Sequence, residues 1–255
     1  MKLAIFGANG PTGQLLTKQA LAEGHTVTAV TRHPETFPLQ HEHLQVMGGD
    51  VYDLAAVKQA VAGQDAVLSS LGVPFTRKPI TIYSQGISNI IEAMKHHGVR
   101  RLICVTSSAT EPHADPQKGF IMEKILQPLM MNTFGKTTYA DMRRMEKLVV
   151  NSDLDWTIVR PSGLFHTESI TDYQVAEAFL SGTFTSRADL ADCMLQQVTD
   201  KCYLCKPVAV ITSSPQPSLL SFFGAEAFQR RPVWNPISKL SLNRQDAKNL
   251  SQRRV

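Results

Sequence analysis

The sequence predicts an α/β fold: a doubly wound parallel sheet forming a single domain over residues 1–212, followed by an irregular tail over 213–255. Three features carry that reading. The chain opens on a β-like apolar run, strand-like runs then alternate with helical stretches, and a glycine-spaced turn joins the first strand to the first helix. With 255 residues, 43% of them hydrophobic and 19% charged, the chain is long and apolar enough for a packed core.

Leu3–Phe6 is the opening strand. The turn Gly7-Ala8-Asn9-Gly10-Pro11-Thr12-Gly13 follows, and a helix over Gln14–Ala22 completes the first βα unit. Thr26–Val30, Leu44–Met47 and Ala66–Ser69 read as strands, with a helix over Leu54–Val61 between the last two. A helix over Ile82–His97 ends at Gly98, a residue free to take positive φ, and Arg101–Val105 is the next strand. Residues 109–135, rich in Pro, Met and Gly, keep no clean period and read as an irregular excursion roofing a pocket. Thr138–Val150 is helical, Trp156–Val159 a strand, Arg187–Asp192 the start of a helix and Val208–Thr212 the last strand. Strands separated by helices at this spacing pair in parallel through right-handed crossovers, and ligands then bind beyond the strands' carboxyl ends.

The formal charge of +4 is unevenly placed: residues 213–255 hold seven Lys or Arg against Glu226 and Asp246. The remainder is close to neutral and lacks the basic excess of a nucleic-acid binder. Pro215, Pro217, Pro232 and Pro236 interrupt any long helix in the basic tail, so it is expected to be peripheral and available to a protein partner. No apolar run approaches the ~20 residues of a membrane span. The first residues read as a strand rather than a leader, so a cytoplasmic location is expected. Cys104, Cys193, Cys202 and Cys205 include one C-x-x-C pair, but a zinc site needs about four ligands. With no second such pair and no His pair nearby, no metal is expected.

Gly7-x-x-Gly10-x-x-Gly13 lies directly between a strand and a helix, the context in which this spacing serves a pyridine dinucleotide. Gly7 permits a sharp turn, Gly10 lets backbone amides approach a pyrophosphate, and Gly13 allows close helix-to-strand packing. The following helix N-terminus, opened by Pro11 and Thr12, offers unpaired donors and a partial positive charge. Asn9 lies within the same turn. A site selective for NAD usually carries an acid at the end of the second strand; this chain has Thr31-Arg32-His33. Arg32 can grip a 2′-phosphate bidentately, which predicts NADP(H), the other reading being an arginine that faces only solvent.

Gly7 to Gly13, Thr31-Arg32, Gly49-Asp50-Val51, Leu71-Gly72, Thr106-Ser107-Ser108, Asp155 to Pro161 and Ser186-Arg187-Ala188-Asp189-Leu190-Ala191 follow one another in order. In this ordered set the chain resembles the atypical short-chain dehydrogenase/reductase group. Over roughly residues 1–212 it is similar to the NAD(P)H-binding proteins related to biliverdin reductase B (flavin reductase) and to NmrA-like proteins. The resemblance implies a Rossmann fold in which Asp50 and Val51 border the adenine, Leu71 and Gly72 pass beside the cofactor, and Thr106 and Ser107 lie near the nicotinamide. Asp50 as a turn or cap residue, and the two hydroxyls as ties for a strand end, remain the plainer alternatives.

Dehydrogenases of the group commonly pair Tyr-x-x-x-Lys, whose lysine lowers the phenol's pKa for proton transfer. Here the pair is Tyr139-x-x-x-Arg143, and arginine cannot enter a proton relay. Tyr139 is therefore either the acid or a packing residue. Flavin and biliverdin reductases of the group need less: a bound NADPH and an open pocket that places the acceptor. Ser107 matches the serine of that pocket; where those enzymes carry a histidine this chain has Gly163, with His166 three residues on as a substitute or as a solvated loop residue. Lys136, Arg143, Arg144 and Lys147, with Arg77-Lys78 in another loop, read as a solvated basic face shared with Glu146 rather than as a site for an acidic acceptor.

The resemblance thus implies an NADPH-dependent oxidoreductase delivering hydride to a small conjugated acceptor such as a flavin, quinone or tetrapyrrole-like molecule. The alternative is a non-catalytic NADP(H)-binding redox sensor of the NmrA type. A third reading, an epimerase or dehydratase, is weakened by the missing lysine.

Overall fold

The computed structural model describes residues 1–74, 76, 78–111, 135–214 and 216–217. Most of the irregular excursion, Arg77, and the tail beyond residue 217 lie outside the described residues. The described elements, numbered in chain order, begin with β1 (Lys2–Phe6), α1 (Pro11–Ala22), β2 (Thr26–Thr31), β3 (Leu44–Gly48), α2 (Leu54–Val61), β4 (Ala66–Ser69), α3 (Ile82–His97) and β5 (Arg101–Val105). They continue with α4 (Lys136–Val150), β6 (Asp155–Pro161), β7 (Gly163–Phe165), β8 (Asp172–Glu177), β9 (Phe184–Ser186), α5 (Arg187–Gln196) and β10 (Lys206–Ser214).

Eight strands form one sheet in the order β3-β2-β1-β4-β5-β6-β10-β8. All neighbours pair in parallel except β10 and β8, which are antiparallel. β7 and β9 form a separate parallel pair. The direction of winding reverses between β1 and β4, which opens a crevice at their carboxyl ends; this is the Rossmann arrangement that the sequence predicted.

The strand period of two splits the core into two layers. Ala4, Phe6, Val67, Leu102 and Ile158 turn to one face, where α2, α3 and α4 bring Val57, Ile87, Ile90, Met94 and Met145. Leu3, Ile5, Leu68, Ile103 and Val159 turn to the other, against Leu16 and Ala20 of α1 and Leu190 and Met194 of α5. Each fully buried Val, Leu, Ile, Phe or Met among them stabilises the fold by about 1.5–3 kcal/mol.

Helix ends follow local chemistry. Asp53 caps α2 by accepting from Ala55 and Ala56 amides, and Gly98 ends α3 at φ 69 in the left-handed region. α3 has no side-chain cap of its own. Asp141, fully buried on α4, serves instead: Oδ2 accepts from the Tyr83 amide at 2.9 Å and the Ser84 amide at 3.3 Å. Its Oδ1 accepts from Ser84 Oγ at 2.5 Å and Arg144 Nη2 at 2.9 Å. One carboxylate thereby joins two helices.

Three strands were not expected. Residues 163–186 supply β7, β8 and β9, each short, and β8 is an edge strand with an exposed outer side. β8 is held by its register on β10, with Tyr173 opposite Thr212 and Val175 opposite Val210. Asp189, at the start of α5, ties this region together: it accepts from the Thr171 amide at 2.7 Å, from Thr171 Oγ1 at 2.8 Å and from Thr212 Oγ1. Among the described residues, no helix is long and apolar enough to cross a membrane.

Replacing Asp141 by Ala leaves the α3 amides and Arg144 without their buried acceptor. Urea unfolding is expected to show a loss of about 2–4 kcal/mol, with Asp141→Asn losing less. An unchanged unfolding midpoint in Asp141→Ala would contradict this capping role.

Candidate functional site

The residues singled out for a dinucleotide cluster by topology. They follow the carboxyl ends of β3 (Asp50, Val51), β2 (Arg32), β1 (Gly7 to Gly13), β4 (Leu71, Gly72) and β5 (Thr106, Ser107), five strands that lie side by side.

At the centre, Gly7 adopts φ 76, and the Gly10 amide donates to its carbonyl at 3.0 Å to close a four-residue turn. Gly10 therefore spends its own N–H within the turn; its contribution is room, since a Cβ there would lie 3.3 Å from the Gly7 carbonyl oxygen. A Cβ on Gly7 would sit 2.7 Å from the Ser70 carbonyl oxygen at the end of β4. One on Gly13 would sit 2.2 Å from the Gly7 carbonyl oxygen and 2.7 Å from Ala8 Cα. All three contacts are with backbone, which has little freedom to yield. α1 starts at Pro11, three residues before the sequence placed it, with Gly10 as N-cap, no side-chain cap and no acid in the first turn. Gln14 Nε2 donates to the Asn9 carbonyl at 3.0 Å and to Asn9 Oδ1 at 3.2 Å, which leaves the Asn9 amide group as a donor. A tight backbone turn with no room for a Cβ at Gly7 or Gly13, under a helix start with no capping side chain and no acid in its first turn, fits a phosphate-bearing group.

Around this centre, Arg32 is exposed one residue beyond β2. Asp50 accepts from the Tyr52 amide at 3.0 Å in an Asx turn, while the helix cap is Asp53. Val51 is buried against Gly86 of α3, where an added Cβ would meet it at 3.0 Å, and its carbonyl accepts from Asn89 Nδ2 at 2.9 Å. Ser70 Oγ donates to the Phe6 carbonyl at 3.1 Å, pinning the start of the Leu71-Gly72 segment to β1. Gly72 is exposed, and a Cβ there would meet nothing within 4 Å.

At the end of β5 the two hydroxyls differ. Thr106 is buried and donates to Glu146 Oε1 at 2.6 Å, so its side chain belongs to the frame. Ser107 is half-buried and caps a short 3-10 turn (Ser108–Thr110) by accepting from the Ala109 amide at 3.2 Å. That contact uses a lone pair and leaves the Ser107 hydroxyl proton to donate. Ser108 Oγ lies 3.2 Å from Ser162 Oγ, joining the ends of β5 and β6.

Beneath this segment lies an arrangement that sequence reasoning missed. Arg160, buried on β6, donates from Nε to Glu146 Oε1 at 3.0 Å and from Nη2 to Glu146 Oε2 at 2.8 Å. Its Nη1 reaches Glu111 Oε2 at 2.7 Å. Burial opposes the guanidinium charge, but the hydrogen bonds and charges of Glu146 and Glu111 outweigh it and raise the Arg160 pKa. Glu146 is thus not part of a solvated basic face: it points inward, while Lys136, Arg143 and Lys147 are exposed. Arg144 is exposed too, but its guanidinium also bonds Asp141 and the Ile80 carbonyl. The available signal was position, since Glu146 shares the helical face of Met142, Met145 and Val149.

The remaining candidates are more dispersed. Tyr139 is half-buried on α4 and packs on the core layer containing Tyr83, whose phenol is pushed up to about 12 chiefly by burial. Arg143, one turn on, is exposed. His166 is exposed immediately after β7. Cys202 and Cys205 are exposed thiols in the turn entering β10; Cys205 takes φ 56, and its Sγ contacts the Leu154 carbonyl at 3.7 Å.

Comparisons with known proteins agree with this geometry. The profile of the NAD(P)H-binding family matches residues 7–201. An uncharacterized chloroplastic protein of Arabidopsis thaliana is 31% identical over 175 residues, which are 64% of this chain and 59% of that protein. The chain thus spans less than two thirds of that relative's length. A short-chain dehydrogenase/reductase of Veillonella parvula, solved in complex with NADP, superposes with a TM-score of 0.69 at 19% identity, covering 85% of this chain and 98% of that one. An anaerobillin reductase of Escherichia coli O157:H7 gives 0.67 at 21% identity, over 86% and 100% of the two chains. At these identities the structural likeness is one of fold. The family match covers the glycine cradle and most of the described α/β elements, and the chain belongs to the NAD(P)H-binding family.

Proposed function

We propose that the chain binds NADP(H) across the carboxyl ends of β1 and β4 and reduces a small conjugated acceptor, such as a flavin, quinone or tetrapyrrole-like molecule, placed beside Ser107. The observation that carries this reading is the backbone cradle of Gly7, Gly10 and Gly13 with Arg32 beyond the neighbouring strand. Arg32 provides the planar fork suited to a 2′-phosphate, and no acid stands in its place to accept a ribose hydroxyl. The Veillonella structure contains NADP, and the Escherichia coli neighbour is a reductase; both support the choice of cofactor and reaction class.

When bound, the reduced nicotinamide supplies the hydride. The chain's own task is placement. The bonds from Thr106 and Arg160 to Glu146 fix the end of β5, and Ser107 on that fixed segment has a hydroxyl proton to donate to an acceptor oxygen or nitrogen as negative charge develops there. Tyr139 and His166 are secondary candidates for proton delivery. A second reading, an NADP(H)-binding redox sensor, draws on Arg143 standing where a proton-relaying lysine would be.

Steady-state oxidation of NADPH and NADH with flavin, quinone and biliverdin separates the readings. The wild type is expected to prefer NADPH, and Arg32→Ala to lose about tenfold to a hundredfold in NADPH affinity while NADH binding holds. An unaltered preference in the mutant would remove Arg32 from the site. NADPH binding without oxidation of any acceptor would favour the sensor. Ser107→Ala is expected to lower kcat by roughly tenfold to a hundredfold with the NADPH dissociation constant unchanged. Equal kcat in both proteins would exclude Ser107 from the chemistry.

A further inference from the structure

We propose that Thr110 is a positioning residue for the reduction: bound to the same Glu146 oxygen as Thr106, it holds the segment between the two threonines and so sets where Ser107 presents its hydroxyl proton. This rests on the reductase reading above, with Ser107 as its donor.

Ser107 lies between two buried threonines that bond one atom. Thr106 Oγ1 donates to Glu146 Oε1 at 2.6 Å, and Thr110 Oγ1 lies 3.0 Å from the same oxygen. The Thr110 hydroxyl is also 2.8 Å from the Ser107 carbonyl, which accepts from the Thr110 amide at 3.0 Å. Thr110 therefore touches both the residue that would donate to the acceptor and the carboxylate that anchors the segment. Within the turn, Ser107 Oγ accepts from the Ala109 amide at 3.2 Å, so the side-chain oxygen and the backbone carbonyl of Ser107 are both engaged by residues of that turn. What Thr110 fixes is the frame from which the Ser107 proton points.

The shared oxygen is itself held in place. Arg160 donates from Nε to Glu146 Oε1 and from Nη2 to Glu146 Oε2, a two-point contact that fixes the plane of the carboxylate. Its remaining arm reaches Glu111, the residue after Thr110, and the Thr106 amide donates to the carbonyl of Val159, the residue before Arg160, at 3.0 Å. Both ends of the run 106–111 are thus tied to β6. Arg160 and Glu146 alone suffice to join α4 to β6. The two threonine bonds add to that pair the segment that carries Ser107, and a reacting group displaced by about 1 Å loses much of its effect.

The test measures NADPH affinity and single-turnover NADPH oxidation, with flavin, quinone and biliverdin as acceptors, in the full-length chain. The wild type is compared with Ser107→Ala, Thr110→Val, Thr110→Ser, Thr106→Val and the double variant Ser107→Ala/Thr110→Val. Thr110→Val removes one hydroxyl and leaves the Arg160–Glu146 pair whole; Thr106→Val cuts the other arm should the first variant not fold. Thr110→Val is expected to lower the rate by about threefold to tenfold with the NADPH dissociation constant within about twofold of the wild type, and Thr110→Ser to recover most of the loss. The double variant should be as slow as Ser107→Ala and no slower, because a residue that acts through Ser107 then has nothing left to position. A merely structural threonine would slow Ser107→Ala by the same factor as it slows the wild type, and that result would overturn the inference. So would wild-type rates in Thr110→Val and Thr106→Val beside a slowed Ser107→Ala. A Ser107→Ala protein as fast as the wild type, or a wild type that oxidises NADPH with none of the acceptors, defeats the reductase reading itself and takes this inference with it.

Discussion

The contact on which the site depends is between backbones: the turn after β1 presses against the chain leaving β4 on one side and against the start of α1 on the other. With a Cβ at Gly7 only 2.7 Å from Ser70, or one at Gly13 only 2.2 Å from Gly7, neither approach survives. The order of the sheet makes this possible, because β1 lies between β2 and β4 and the crossovers leave it in opposite directions. Small residues at the crossing bring a helix start to the sheet's edge.

The rest of the site is steadied by charges held inside the protein. Glu146 and Arg160 form a bidentate pair under the end of β5, and Asp141 fastens α4 to α3. Such groups add little net stability compared with apolar residues of the same shape, but removing one partner leaves a buried charge uncompensated. Their bonds tie the end of β5 to β6 through α4, and α4 to α3. Asp189 does the same on the opposite helical layer, where it holds β8, β10 and the start of α5 together.

The repeating part of the fold was legible in the sequence. Apolar runs located the strands from β1 to β6 to within a residue or two, Gly98 ended its helix as a left-handed cap, and Gly7-x-x-Gly10-x-x-Gly13 marked the crevice. These features are local, and a linear reading captures them. What escaped it depends on distant partners. β8 is a half-exposed edge strand defined by pairing with β10, more than thirty residues away. Glu146 read as a surface charge because its neighbours in sequence include Arg143, Arg144 and Lys147; only the packing of α4 on β6 turns it inward. Thr106 and Ser107 were both expected near the nicotinamide, with Ser107 as the catalytic candidate; Glu146 takes the Thr106 hydroxyl for the frame and leaves that of Ser107.

The central claim is that NADP(H) binds at the turn between β1 and α1. Amide hydrogen exchange on the wild type, with and without saturating NADPH, tests it most directly. The account predicts slowed exchange at Ala8, Asn9, Thr12 and Gly13, accompanied by slowing at Arg32 and at Leu71-Gly72. Saturable NADPH binding that leaves residues 8–13 exchanging as before, with protection confined to other parts of the chain, would contradict it.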